Sequence, residues 1–419
     1  MKIKVLNIVF LGVFVFLVSS TLLLKVANHA GVEFPSWIGV GKEESYLEGR
    51  QYQNFPIFNL ETVTSTEFQD DFEQFISDQA PMRDDALLLN ANIQKTFIAF
   101  SNLPFNFEVY PTFYGSNYVY SPTSDSLYET LATSDSEEEA KYRLGASAFN
   151  DFALRHPDIK MYFYRVDRIS SSNNNPTETY VSDPINTDFL SNNFFEQLDS
   201  NIKVINGLLN DSNNYSELYY RTDHHWNISY AYGAYIDTLD ALGYGDSPTS
   251  FTVEEFTSPE FYGSLSRSGL CIPKSPDHIE DYYMNIPGLI VKVDGKEYNQ
   301  NFLDHYETYS KGEWRLDRFT NRYAEYFHTD YGLLEIHNTN LRNNRSILIV
   351  GDSYTNNMER FFATNYENVY VYDARFCDIT LDDFMSENSI NDVVFIMGST
   401  NFATAETLHA LECDTKSLS

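Results

Sequence analysis

Hydrophobic positions in the C-terminal part of the chain fall into short runs separated by amphipathic stretches. The runs are SILIV at 346–350, NVYVYDA at 368–374 and DVVFIMG at 392–398, all rich in β-branched or aromatic residues. Between them lie SYTNNMERFFATNY and LDDFMSENSI, which we interpret as helices. Short strands that alternate with helices predict an α/β fold, with a parallel sheet flanked by helices.

The same alternation begins further upstream. Residues 137–156 have a helical composition, and IKMYFYRV at 159–166 is typical of a buried strand. ELYYRTD is interpreted as a strand, and WNISYAYGAYIDTLDALGYG as a helix that glycines terminate. Phenylalanines recur at helical spacing within 66–100, where Pro81 interrupts the pattern, so we expect two short amphipathic helices there.

The N-terminus contains the longest apolar run. After a pair of lysines, Val5–Leu24 offers about 20 nearly uninterrupted apolar residues, enough to cross roughly 30 Å of hydrocarbon. We expect an uncleaved transmembrane anchor at 1–27 with a cytoplasmic N-terminus. A juxtamembrane stretch with short helices would follow at 28–110, and one large domain at 111–419. The irregular region at about 251–340 is interpreted as an insertion or a set of edge elements.

The amino-acid composition argues against some classes of binding partner and against cysteine-based sites. The formal net charge is −32, from 60 acidic and 28 basic residues, which argues against nucleic acid. The 31 tyrosines would suit stacking on sugar rings, although core and surface packing accounts for them equally well. Cys271, Cys377 and Cys413 form no C-x-x-C pair, so neither a zinc ribbon nor a dithiol motif is indicated. We expect no cofactor.

The tripeptide Gly351-Asp352-Ser353 follows the strand SILIV directly. In an open parallel sheet, ligands bind beyond the carboxyl ends of the strands, and Ser353 occupies that position. The glycine permits a sharp turn, and a helix start there would offer N–H groups to an anion. The competing interpretation is that Asp352 and Ser353 only cap the next helix.

A second polar cluster, Asp223-His224-His225-Trp226, precedes a predicted helix. A serine nucleophile needs a base, and a neutral imidazole needs a carboxylate to fix its tautomer. In an extended chain Asp223 and His225 would point to one side and His224 to the other, which favours the first two as a pair. Helix capping is the alternative. A metal site is disfavoured, because adjacent histidines do not easily turn to one ion and H-E-x-x-H is absent.

Three further residues are candidates for oxyanion or substrate contacts. Asn401 lies after the strand that ends near Gly398, where an amide could complete an oxyanion hole or a turn. Tyr354 follows the serine directly. Arg375 lies at another strand end, where a structural ion pair with Asp373 is the competing use.

Five motifs together resemble a known family. TDHHWN, GDSY, FYGSLSRSG at 261–269, YVYDARF at 370–376 and DQAPMRDD at 78–85 resemble the bacterial DHHW proteins, relatives of the alginate O-acetylation proteins in the SGNH hydrolase-like group. By this resemblance Ser353 matches the nucleophile, and Asp223 and His225 match the aspartate and histidine of the family's D-x-H motif, with His225 as the base that Asp223 orients. His224 and Trp226 would then support them, while Asn401 only loosely resembles the SGNH asparagine.

The resemblance implies an SGNH-like O-acetyltransferase or acetylesterase that acts on a cell-surface polysaccharide or wall glycan through an acyl-enzyme. With the anchor, it would be a single-pass protein of the bacterial cell membrane whose catalytic domain is extracytoplasmic. A transferase would need a membrane-bound acyltransferase as its acetyl donor. The alternative is a non-catalytic glycan-binding or polysaccharide-assembly protein that retains the fold.

Overall fold

The computed structural model describes the chain from residue 65 to 412, with gaps at 106, 131–135, 167–176, 178–188, 208–214, 245–257, 283–285, 300–301, 304, 306–308 and 310–313. It also describes 23–28, 30–35, 42–57 and isolated positions before residue 65. Among these residues no helix has the length and apolarity needed to span a bilayer. Most of the predicted anchor at Val5–Leu24 lies outside the described residues.

The chain divides into two compact units, and the first comprises 1–104, 111–116 and 267–271. It contains a two-stranded antiparallel ribbon and the two helices predicted on either side of Pro81, of which the second is longer than expected. The elements are β1 (Glu44–Ser45), β2 (Arg50–Gln51), α1 (Glu67–Asp78) and α2 (Arg83–Asn102). The domain boundaries at 27 and 110 remain predictions.

Small strands precede the main sheet: β3 (Tyr110–Pro111), β4 (Tyr118–Ser121) and β5 (Ser126–Glu129), of which β4 and β5 pair antiparallel. Among the described residues, the main sheet of the second unit has eight strands: β6 (Lys160–Arg165), β7 (Ile202–Ile205), β8 (Leu289–Val293), β9 (Lys296–Tyr298), β10 (Leu333–Asn338), β11 (Ser346–Gly351), β12 (Asn368–Tyr372) and β13 (Asp392–Met397). Their order in the sheet is β7-β6-β13-β11-β12-β10-β8-β9.

The helices of this part of the chain lie between the strands in sequence. They are α3 (Ser136–Arg155), α4 (Phe189–Glu196), α5 (Tyr215–Leu218), α6 (Ile228–Leu242), α7 (Ser264–Ser268), α8 (Arg322–Phe327), α9 (Leu381–Glu387) and α10 (Ala405–Ala410), with 3-10 turns at Glu359–Thr364 and Ser399–Asn401. Asn227 is the N-cap of α6, because its side chain accepts the N–H groups of Ser229 and Tyr230. Gly243, with φ +86°, is the C-cap.

Five neighbouring strands, from β7 to β12, are parallel, and this confirms the α/β class predicted from the alternating elements. The other edge differs from the prediction. β10, β8 and β9 join the same sheet antiparallel, so a wholly parallel sheet is wrong. All three strands come from the region at 251–340, which therefore supplies sheet edge as well as loops.

The core lies on both faces of the sheet. Ile347 and Ile349 of β11 pack in one apolar cluster together with α6, and the alternate residues Leu348 and Val350 pack in a second cluster together with α3. Burial on both faces explains the unbroken apolar sequence of the central strands. It also leaves the strand ends as the places where polar side chains can emerge.

Two local predictions are wrong. ELYYRTD, at 217–223, begins with the last two residues of α5 and ends in the bends at 221–225, so it is not a strand. The segment after Ser353 does not enter a helix near Tyr354 but forms turns until the 3-10 helix at Glu359–Thr364. Asp352 accounts for the difference, because its carboxylate and its carbonyl accept the N–H groups of Tyr354 and Thr355.

Candidate active site

Asp223, His225 and Ser353 lie in one chain of hydrogen bonds. His225 Nδ1 is 2.6 Å from Asp223 Oδ1, and His225 Nε2 is 2.8 Å from Ser353 Oγ. Asp223 and His225 are 1% and 5% exposed, whereas Ser353 is partly accessible. With the imidazole proton on Nδ1, Nε2 is the acceptor for the serine hydroxyl.

The pairing of Asp223 with His225 comes from a turn and not from strand alternation. Asp223 Oδ1 also accepts the backbone N–H of His225 at 3.1 Å, which is the contact of an Asx turn. Asp277 holds the two residues that precede this turn. Its carboxylate accepts the N–H groups of Arg221 at 2.9 Å and Thr222 at 2.7 Å, and also the hydroxyl of Thr222. The loop is therefore fixed by carboxylates at both ends.

The start of α7 supports the other oxygen of Asp223. Ser264 N donates to Asp223 Oδ2 at 2.7 Å, and Gly263 N donates to Thr222 Oγ1 at 2.9 Å. A Cβ atom on Gly263 would lie 2.3 Å from Asp223 Oδ2 and 2.4 Å from Asp223 Cβ. Only glycine therefore lets this backbone approach the carboxylate so closely.

The turn that carries Ser353 is constrained from several directions. A Cβ on Gly351 would lie 2.3 Å from Thr355 Cγ2 and 2.7 Å from the carbonyl oxygen of Ile396, so the turn is packed against β13. Asp352 Oδ2 accepts the Gly398 N–H at 2.8 Å and the Asn401 amide at 2.7 Å. Asp352 thus ties the end of β11 to the loop after β13.

His224 and Trp226 have different environments on either side of His225. The side chain of His224 is 44% exposed, and its Nδ1 lies 2.6 Å from Ser264 Oγ. The centroid of the His224 ring is 3.8 Å from that of the His225 ring, so the prediction that His224 points to the opposite side from His225 is wrong. Trp226 is fully buried, and its Nε1 donates to the carbonyl oxygen of Tyr354 at 2.9 Å.

The other predicted contact residues are engaged within the protein. Tyr354 donates its N–H to Asp352 and its hydroxyl to the carbonyl oxygen of His224. Asn401 donates one amide hydrogen to Asp352. Arg375 contacts Asp373 at 2.6 Å and Asp330 at 3.2 Å, the kind of ion pair considered as its alternative use. Their roles toward a substrate remain predictions.

Sequence reasoning missed four residues of this site. They are Asp277, Gly263, Ser264 and Tyr323, whose ring stacks on His225 with 3.7 Å between centroids. Gly263 and Ser264 belong to the motif FYGSLSRSG, which carried the resemblance without an assigned role. Asp277 and Tyr323 stand in no recognisable local pattern, and only the folded chain brings them to the loop.

Three side chains of the loop form a group that could in principle hold a metal ion. Ligand atoms of Asp223, His224 and His225 lie within 4.8 Å of one another. However, Asp223 Oδ1 already accepts two hydrogen bonds from His225, so a cation there would have to displace the imidazole proton. The hydrogen-bonded arrangement suits proton transfer better than metal ligation.

The two buried aspartates have pKa values displaced in opposite directions. Burial alone would raise the pKa of Asp223, but the charge and hydrogen bond of His225, with the Ser264 N–H, lower it well below the ordinary range. Burial is the main cause that raises the pKa of Asp277 to about 6, and the nearby charge of Asp223 adds to it. Asp223 is therefore ionised throughout the neutral range.

A serine, an imidazole and a carboxylate in line at the carboxyl edge of an α/β sheet form the arrangement of serine-dependent hydrolases and acyltransferases. The family model for DHHW protein matches residues 203–372, which contain all three side chains. The resemblance to the DHHW proteins is thereby confirmed. A search of curated proteins gave no match.

Solved structures give the same assignment of fold. A DHHW family protein from Eubacterium siraeum is similar with a TM-score of 0.52 and 20% identity, over 71% of this chain and 95% of that one. Bacillus cereus PatB1 with a sulfonyl adduct has a TM-score of 0.53 and 18% identity, over 68% and 96%. The O-acetyltransferase domain of Pseudomonas putida AlgJ has 12% identity over 72% and 93%, but its TM-score of 0.37 does not establish a shared fold.

Gly263→Ala should lower the free energy of unfolding by about 1–3 kcal/mol, because the new methyl group would overlap the Asp223 side chain. Chemical denaturation followed by circular dichroism measures the change. Ser264→Ala is the matched control, since it keeps the N–H bond to Asp223 and loses only the hydroxyl contact with His224. Equal stability of the two variants would contradict the close approach of Gly263.

Asp277→Asn should flatten the dependence of stability on pH. Between roughly pH 4 and pH 6 the unfolded chain ionises Asp277 while the folded chain keeps it protonated, so wild-type stability falls as pH rises. The unfolding free energy of the variant relative to wild type should therefore rise by up to about 3 kcal/mol between pH 4 and 7. Denaturation curves at several pH values test this, with exposed Asp151→Asn as control. A constant difference would contradict the prediction.

Proposed function

We propose that the protein is a serine-dependent O-acyltransferase or esterase that acts on an extracytoplasmic polysaccharide, with Ser353 as the nucleophile. The observation that carries the proposal is the hydrogen-bond chain from Asp223 through His225 to Ser353, with distances of 2.6 and 2.8 Å. Both distances suit proton transfer without rearrangement. The resemblance to the DHHW proteins and the sulfonyl adduct described for PatB1 support the same chemistry, because a sulfonyl adduct needs an activated nucleophile.

In the proposed mechanism His225 Nε2 takes the proton of Ser353 Oγ as the oxygen attacks an acyl ester carbonyl. The tetrahedral intermediate collapses when His225 returns the proton to the leaving alcohol, and an acyl-serine remains. An acceptor hydroxyl or water then gives its proton to His225 and attacks the acyl-serine, and His225 passes that proton to the leaving Ser353 Oγ, which frees the serine. Asp223 stabilises the imidazolium in both steps, and its depressed pKa keeps it charged.

The oxyanion of each tetrahedral intermediate needs donors close to Ser353. The backbone N–H of Ser353 itself is one candidate, since no acceptor for it occurs among the residues that the structure describes. The second hydrogen of the Asn401 amide is another, because the first is donated to Asp352. Asp352 would then act by orienting Asn401.

Ser353→Ala and His225→Ala should each reduce hydrolysis of p-nitrophenyl acetate by about 10³-fold or more, and Asp223→Asn by about 10²-fold or more. The full chain in detergent serves as enzyme, and Ser386→Ala on α9 serves as the matched surface control. Phenylmethylsulfonyl fluoride should label wild type at Ser353 and leave Ser353→Ala unlabelled, as peptide mass spectrometry reads out.

Equal rates for Ser353→Ala and wild type, without labelling of Ser353, would contradict the proposal and favour the non-catalytic glycan-binding or assembly protein. Adding acetylated and unacetylated glycan fragments separates the two enzyme classes. Release of acetate without an acceptor identifies an esterase, whereas appearance of acetyl groups on the fragment identifies a transferase, whose natural donor we propose to be a membrane-bound acyltransferase.

The proposed location is the outer face of the cell membrane, with the apolar run Val5–Leu24 as the anchor. The full chain expressed in a bacterial host should sediment with membranes, and protease added to intact spheroplasts should digest it. Deletion of residues 2–27 should move the protein to the soluble fraction. Protection from protease in intact spheroplasts, with digestion only after lysis, would contradict the proposed orientation.

A further inference from the structure

Tyr323 of α8 contacts both the base and the nucleophile of the proposed site. Its ring lies flat on the His225 imidazole, with 3.7 Å between the centroids and 1° between the planes. Its hydroxyl donates to the backbone carbonyl oxygen of Ser353 at 2.7 Å. The side chain is 1% exposed, so both contacts are made away from bulk water.

The two contacts restrain different degrees of freedom. A flat ring against the imidazole blocks tilting of His225 about its side-chain torsions, which the Asp223 hydrogen bond alone restrains only at Nδ1. The hydroxyl holds the oxygen of the peptide between Ser353 and Tyr354, while Asp352 Oδ1 accepts the N–H of the same peptide. That peptide is therefore held on both sides.

The stack also bears on the charge of the imidazole. The face of a phenol ring carries negative potential, so it stabilises a cation placed over it within about 6 Å. Other groups around the His225 ring are Asp223 and His224 from its own loop, Ser353 on Nε2, and Tyr354 edge-on at 5.5 Å.

We propose that Tyr323 is a positioning residue, which fixes His225 and Ser353 relative to each other and stabilises the protonated imidazole during acyl transfer. The inference rests on the proposed function of Ser353 and extends it to a residue outside the recognised motifs. It also gives the region at 251–340 a part in the chemistry, since that region supplies α8.

Two substitutions separate the contacts. Tyr323→Phe keeps the stacked ring and loses the hydrogen bond to the Ser353 carbonyl, so kcat for p-nitrophenyl acetate should fall about 5- to 10-fold with little change in KM. Tyr323→Leu loses both contacts and should lower kcat about 100-fold. Burial raises the pKa of the Tyr323 phenol well above its usual range, so the hydroxyl remains a donor across the assay.

The dependence on pH distinguishes positioning from general packing. Without the stacked ring the imidazolium loses a stabilising partner, so the acidic limb of the pH–rate profile should move to lower pH by about half a unit or more in Tyr323→Leu. Tyr323→Phe should keep the wild-type midpoint. The ring protons of His225, assigned by comparison with His225→Gln, should report the same shift in an NMR titration, which needs no catalysis.

Tyr326 provides the matched control, because it lies on the same helix in the same apolar cluster and donates to Asp281 at 2.8 Å. Tyr326→Phe and Tyr326→Leu should change stability without moving the pH midpoint. The same midpoint in Tyr323→Leu and wild type would overturn the inference. If Ser353 proves inactive and unlabelled, the proposed function fails, and the NMR titration still decides whether Tyr323 stabilises the charged ring.

Discussion

The site depends on keeping a charged carboxylate buried beside an imidazole. Desolvation of Asp223 is costly, and three donors offset it: the ring and backbone N–H groups of His225 and the N–H of Ser264. Each of those donors requires a particular backbone path. The turn at 223–225 and the glycine at 263 therefore both serve one buried charge, while Asp277 holds the residues that precede the turn.

The proposed base and the proposed nucleophile reach the site by different structural means. Ser353 lies just beyond a central strand that is buried on both faces, and its turn is packed against β13. His225 lies on an irregular loop, and such loops are ordinarily more mobile than the elements they connect. Trp226 restrains the loop, because its buried indole N–H donates to the carbonyl oxygen of Tyr354 and to the Asn357 side chain at 3.0 Å. The loop is thus bonded to the turn that it serves.

The parts of the structure that follow local rules could be predicted. Central strands such as β11 and β13 are buried on both faces and therefore have continuous apolar sequences, which can be recognised. Ser353 could be predicted as a site residue because it comes directly after such a strand. The loop before α6 could not be predicted, because Asp277, 55 residues from Thr222, decides its shape. The contact of Tyr323 with His225 could not be predicted either, because one tyrosine among many aromatic residues forms no local sequence pattern. The region at 251–340 was interpreted as an insertion or a set of edge elements, but the antiparallel direction of β8, β9 and β10 could not be predicted, because their pairing depends on contacts that local sequence does not show.

The order of strands in the sheet has a consequence for biosynthesis. β13 lies between β6 and β11, so the two halves of the sheet cannot join until residue 397 has been made. Pairings this distant in sequence form slowly, because a long loop must close first. In a nascent chain Asp223 and His225 are therefore made well before β13, whose strand packs against the turn that carries Ser353.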